Sequence, residues 1–218
     1  MDRRQRSPKP KIRELRGMRG IILPLCILAG IGIHAQNGPR LGLGLATQSV
    51  GGLFRNTSNL MPGPIAGWHF EGRVHRQVSI MPEILYMTKG FTYRNPALAT
   101  RTRASFNYAE VPILFKIYTE GQDGLYLLGG PSLGYFINGR FQQWQDGRQI
   151  IDGRYQVGNN IRRLQFSGLV GMGFQGPRWA FDVRAQTSLT PFDRFVRIQN
   201  VVYGITFAYR IKVREEDE

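Results

Sequence analysis

The chain has 218 residues, of which 42% are hydrophobic, with a mean hydropathy of −0.27, so it can bury one core of respectable size. Its formal net charge of +14 points to an acidic partner such as nucleic acid or an anionic membrane. The single cysteine, Cys26, excludes an intramolecular disulfide, and 27 glycines with 11% aromatics favour strands over helices.

The charge is unevenly spread. Arg3, Arg4, Arg6, Lys9, Lys11, Arg13, Arg16 and Arg19 stand against Asp2 and Glu14, so residues 1–20 hold +6 of the +14. An apolar run, IILPLCILAGIGI from Ile21 to Ile33, follows them and gives way to HAQN. Thirteen residues fall short of the roughly 20 that a membrane-spanning helix needs, and a basic stretch before a short apolar run is the signature of a secretory signal peptide. Cleavage is expected after Ala35, with Met18 as an alternative start, which leaves a mature chain without cysteine. Leu25 before Cys26 argues against lipidation.

Eight strands are predicted, over 40–47, 64–74, 76–89, 106–118, 124–137, 162–175, 178–189 and 199–212. Their connections alternate between long (48–63, 90–105, 138–161, and a medium 190–198) and short (around His75, 119–123, Gly176-Pro177). Outer-membrane barrels distribute loops this way, with short turns at one end and long loops at the other.

Alternate side chains of a strand face opposite ways. In NYAEVPILFKIY, Ala109, Val111, Ile113, Phe115 and Ile117 share one face, opposite Tyr108, Glu110, Pro112, Leu114 and Lys116. The second strand sorts Ala66, Trp68, Phe70 and Val74 against His69, Glu71 and Arg73. The third sorts Val78, Ile80, Pro82, Ile84 and Tyr86 against Ser79, Met81, Glu83 and Lys89. The seventh and eighth set Trp179, Phe181 and Val183 against Asp182 and Arg184, and Tyr203, Ile205 and Phe207 against Thr206 and Arg210. The first, fifth and sixth are apolar or glycine on both faces, as a narrow barrel with glycine-lined walls would be.

Pooled, the polar faces hold four acids (Glu71, Glu83, Glu110, Asp182) and four bases (Arg73, Lys116, Arg184, Arg210), with Lys89 and Lys212 near strand ends. Buried charge persists when it is paired and hydrogen-bonded. The expectation is therefore an all-β, eight-stranded antiparallel up-and-down barrel whose apolar face meets lipid and whose lumen is closed by an ion-pair network. Its domains are a leader over 1–35, the barrel over 36–212 and a charged tail over 213–218. Pro82 and Pro112 lie inside strands with no free edge and should mark bulges or bends.

YAEVPILFKIY, IMPEILYMTKGF, LYLLGGPSLGYFING and VVYGITFAYRI resemble the PorT-like, porin-family outer-membrane barrel domain of Bacteroidota, from about Leu41 to Ile211. Glu110 to Pro112 and Pro82-Glu83 are the most specific matches. The resemblance implies residence in the outer membrane of a Gram-negative cell, handling by its assembly machinery, and a role close to secretion-system proteins. Phe207, Tyr209 and Ile211 supply the alternating C-terminal insertion signal, although KVREEDE follows instead of a terminal aromatic.

No catalytic, cofactor or metal site is expected. His69 lacks a Ser-His-Asp partner pattern and His75 sits in a turn. The glycine-rich stretches lack the Lys-Ser/Thr and helix of a phosphate loop. Arginines in the long loops, Arg94, Arg101, Arg103, Arg140, Arg148 and Arg154, have too few aromatics among them for nucleic acid and suit lipopolysaccharide phosphates. The expected function is structural or interaction-based behind a plugged lumen. Its alternatives are a narrow porin and a soluble lipocalin-like binder, the latter requiring the apolar faces to point inward.

Overall fold

In a computed structural model the described residues are 36–50, 58–119, 124–154, 162–192 and 198–211. The leader, Met18, the cleavage position, Lys212 and the C-terminal tail lie outside them. Valine, isoleucine, aromatic and glycine alternation produces the strands β1 (Gln36–Val50), β2 (Met61–His75), β3 (Val78–Asn95), β4 (Thr100–Tyr118), β5 (Gly124–Gln145), β6 (Arg148–Arg154), β7 (Leu164–Gln175), β8 (Trp179–Ser188) and β9 (Ile198–Tyr209). Eight of them close a ring in the order β1, β2, β3, β4, β5, β7, β8, β9 and back to β1, and every pairing is antiparallel. β6 stands outside the ring, pairing with the end of β5.

The predicted eight-stranded barrel is thus observed, with one strand added. Two expected long loops are largely ribbon: β3 and β4 stay paired out to Asn95 and Thr100 across a short 3-10 turn at Pro96–Leu98, and β5 runs on to a tight turn at Asp146 and Gly147. Both turn residues have positive φ, the conformation for which Asp-Gly is favoured in two-residue hairpins.

The faces follow the alternation. Val111, Ile113, Phe115 and Ile117 are exposed, whereas Glu110, Leu114 and Lys116 between them are buried. From Ile117 to Asn107 the outer wall of β4 covers about 34 Å of strand at ~3.4 Å per residue, or about 26 Å along the axis at a tilt near 40°. That matches the ~25 Å apolar band of outer-membrane barrels. Trp179 faces Tyr209 across strands near the short-turn end, while Tyr86 and Tyr135 flank Ala109 nearer the other, so aromatic side chains border the band at both levels.

The expected proline bulges are absent. Between β3 and β4 the register is the same on either side of the gap where Glu83 and Ile84 would meet Pro112 and Val111. The β2–β3 ladder likewise skips Pro82, and the β4–β5 ladder skips Pro131. Each proline removes one donor, and the flanking pairs keep the strands aligned across the gap. A true shift occurs at Asn107 and Tyr108 instead, where Ile137 of β5 has no partner.

Interior glycines make room for the filling. A Cβ on Gly134 would lie 2.2 Å from a Glu110 carboxylate oxygen, and one on Gly173 would lie 2.5 Å from the Tyr126 ring.

Candidate functional site

Side chains from opposite walls fill the lumen in layers. Nearest the short turns, Lys116 of β4 pairs with Glu71 of β2 at 3.0 Å and also hydrogen-bonds Gln175. The Tyr118 hydroxyl donates to the same Glu71, and the Lys116 ammonium lies 4.1 Å from the Tyr126 ring centroid. Arg210 closes this end by donating to Gln36 and to the Gly176 carbonyl.

The middle layer is a four-membered charge cluster. Arg184 of β8 grips Glu83 of β3 through both guanidinium ends, at 2.6 and 2.9 Å, and also contacts Asp182. Arg40 of β1 reaches Asp182 at 2.6 Å and Glu83 at 3.0 Å. The Thr206 and Tyr126 hydroxyls donate to Asp182 at 2.7 and 2.9 Å. Arg40, Glu83 and Asp182 are fully buried. Two cations facing two carboxylates with supporting hydroxyls is the arrangement in which buried charge is tolerable.

Above it, Lys89 pairs with Glu110 at 2.5 Å and donates to Gln165 at 3.0 Å, while Gln186 and Ser132 donate to Glu110. An aromatic layer then caps the lumen. Phe192, from the connection between β8 and β9, packs on Phe106 at 4.8 Å and on Phe136 at 6.2 Å, with Tyr108 edge-on to Phe136. A cavity lined by residues including Ile65, Leu85, Arg184 and Thr206 measures about 10 Å³, room for about one water.

Seven of the eight residues expected in the interior network are buried there: Glu71, Glu83, Glu110, Lys116, Asp182, Arg184 and Arg210. Arg73 is exposed instead: it is still in register opposite Ser79, but it lies at the end of β2 beside the turn, beyond the filled lumen. Lys89 is not at a strand end, since β3 extends past it to Asn95, and its ammonium is buried. Arg40 is a further interior cation: it is the first residue of the predicted strand 40–47 and shares the inward parity of Gly42 and Gly44. Arg40, Lys89, Lys116 and Arg184 match the four acids one for one, and Arg210 at the short-turn end brings the buried set to a net +1. His69 is buried and its Nδ1 has no hydrogen-bond partner among the described residues. Among those residues no group of His, Cys, Asp and Glu is arranged to hold a metal.

On the outer wall, polar cross-strand bonds mark the end of the apolar band. The Thr88 hydroxyl donates to Asn107 at 2.8 Å, and Asn107 donates to Asn138 at 2.7 Å. Beyond this row come the arginines. Arg140 is held by Asp152 through two hydrogen bonds, which keep the Asp152 carboxyl below its ordinary range. Arg94 and Arg101 face each other across β3 and β4, with Arg103 on the same face and Arg101 5.8 Å from the Trp144 ring centroid. Arg148 and Arg154 lie exposed on β6. Phe207 and Tyr209 of β9 and Ile211 beyond it face outward.

A closed antiparallel ring with an apolar outside and charge inside is a transmembrane β-barrel of the outer-membrane type. The chain belongs to the family described as the outer membrane protein beta-barrel domain, whose model matches residues 33–194. No curated protein matches the sequence. Among solved structures it is similar to Neisserial surface protein A (10% identical, covering 80% of this chain and 97% of that one, TM-score 0.51). It is also similar to Ail of Yersinia pestis, solved with the heparin analogue sucrose octasulfate (13% identical, 82% and 100%, TM-score 0.49), and to OprG of Pseudomonas aeruginosa (10%, 82% and 95%, TM-score 0.41). Outer-membrane localisation follows from the family.

Proposed function

We propose that the protein is a non-enzymatic membrane-embedded scaffold with a plugged lumen. It is exported by a leader cleaved near Ala35, inserted by the outer-membrane assembly machinery through the Phe207, Tyr209 and Ile211 pattern, and serves as a PorT-like accessory to secretion-system proteins. The observation that supports this best is the cross-lumen grip of Arg40 and Arg184 on Glu83 and Asp182, with aromatic and ion-paired layers above it. Opening a solute path would require these charges to separate inside a low-dielectric wall, which costs several kcal/mol per ion, about the whole stability of a small domain. The long-connection rim contributes a basic surface for outer-leaflet lipid and lipopolysaccharide.

Single-channel recording in planar bilayers tests the plug. The expected trace is flat; a steady, sub-nanosiemens current from the purified barrel would support the narrow porin instead. Deleting the protein from its native cell should reduce surface display of secreted cargo, and undiminished display would remove the secretion role while leaving the scaffold.

A further inference from the structure

From the basic side chains beyond the apolar band we infer that Arg94, Arg101 and Arg103 form a binding site for the phosphoryl head group of an outer-leaflet lipid. The inference rests on the outer-membrane reading, which puts the long connections on the outer face. These side chains line a cavity of about 270 Å³ with Thr92, Asn59, Leu60, Met61 and Pro62, and none of the lining residues is acidic. Arg94 is directly opposite Arg101, a like-charge pairing that destabilises an antiparallel ribbon unless an anion lies between the two. By contrast, Arg140 on the neighbouring strand has its carboxylate, Asp152.

Placement selects the class of anion. Arg103 is four residues beyond Asn107 on β4, about 13 Å of strand or about 10 Å along the axis, just past the polar row of Thr88, Asn107 and Asn138. All three arginines project from the outer wall, the wall that lower down meets hydrocarbon, and not from the lumen. Leu60 is half exposed, and it and Pro62 extend apolar surface from the cavity toward that wall. Guanidinium groups above apolar side chains fit a phosphate carried on acyl chains. The planar donors suit phosphate oxygens, two per guanidinium.

The test uses the full mature barrel in zwitterionic-lipid nanodiscs, with binding read by native mass spectrometry and by competition with a fluorescent lipid A. The probes are bisphosphorylated lipid A, its dephosphorylated form, and inorganic pyrophosphate. Wild type should retain the phosphorylated lipid. Arg94→Gln, Arg101→Gln and Arg103→Gln together should weaken it by about tenfold or more, because charge-assisted hydrogen bonds are lost. The charge-matched control Arg73→Gln, Arg76→Gln and Arg178→Gln, three exposed arginines beside the short turns at the opposite end of the barrel, should leave affinity little changed. Equal affinity in the first triple variant, or equal binding of dephosphorylated lipid, overturns the site. Pyrophosphate binding as tightly as the lipid overturns the lipid assignment in favour of a soluble phosphate. Heat-modifiable migration of both variants keeps the outcomes separate: a chain that forms no barrel refutes the membrane reading, whereas a folded barrel indifferent to phosphate refutes only the site.

Discussion

Glu83 is the side chain whose charge matters most to the lumen. Glu83→Gln preserves shape and leaves Arg40 and Arg184 facing Asp182 alone, two buried cations against one anion. Removing one partner of a buried pair costs about 3–5 kcal/mol. The Gln carbonyl oxygen can still accept one bond from Arg184, which puts the expected loss near the lower end, about 3 kcal/mol. At about 2–4 °C per kcal/mol for a chain of this length, the transition should fall by roughly 6–12 °C. The assay is a temperature series of unboiled gel migration, checked by urea unfolding of the barrel in vesicles through Trp68 and Trp179 fluorescence. Arg184→Gln should be similarly damaging, and the double variant should be less destabilised than the sum of the two, since a contacting pair couples by about 0.5–3 kcal/mol. An unchanged transition in Glu83→Gln, or strict additivity in the cycle, would refute the idea that these charges hold the lumen together.

Ile113→Arg places a cation on the lipid-facing wall and should destabilise the barrel by about 2–4 kcal/mol in lipid; loss below about 0.5 kcal/mol would mean that this face does not meet hydrocarbon. Gly134→Ala should push Glu110 off Lys89, because the added Cβ would sit 2.2 Å from the carboxylate, and should lower stability by about 1–3 kcal/mol in the same gel series. Phe192→Ala removes the centre of the aromatic cap and should cost about 3 kcal/mol or less, since its connection can settle, yet produce no conductance while the charge layers below remain. Asp152 has its pKa lowered by Arg140, so any stability from this exposed pair is present above the ordinary carboxylate pKa and lost only as pH falls through the lowered one. Spectra of the β5–β6 hairpin should therefore be unchanged between pH 7 and 5 and alter below about 4.

The membrane-embedded half was legible because lipid on one side and a filled lumen on the other force strict alternation, as at Val111, Ile113 and Phe115 against Glu110, Leu114 and Lys116. Beyond the band both faces of a ribbon meet water, alternation loses its meaning, and the extensions of β3, β4 and β5 read as loops. The Asp146-Gly147 turn is the local signal for β6, but the strand it begins, RQIIDGR, is exposed at every residue except the half-buried Gly153 and has no buried apolar face. Arg40 stands at the very start of the predicted strand 40–47, where its inward parity with Gly42 and Gly44 is the only signal. Phe192 is different in kind: nothing in its neighbourhood in the sequence says that a connection folds back over the barrel mouth, and only the tertiary packing against Phe106 and Phe136 does so.

The measurement that bears most directly on the whole account is membrane fractionation with paired boiled and unboiled gels of the mature chain. The expected result is a protein confined to the outer-membrane fraction whose mobility shifts on boiling, since a closed barrel resists detergent until heated. A protein recovered in the soluble periplasmic fraction with identical mobility in both lanes would contradict it, and would turn the apolar wall of Val111, Ile113 and Phe115 into the lining of a ligand cavity.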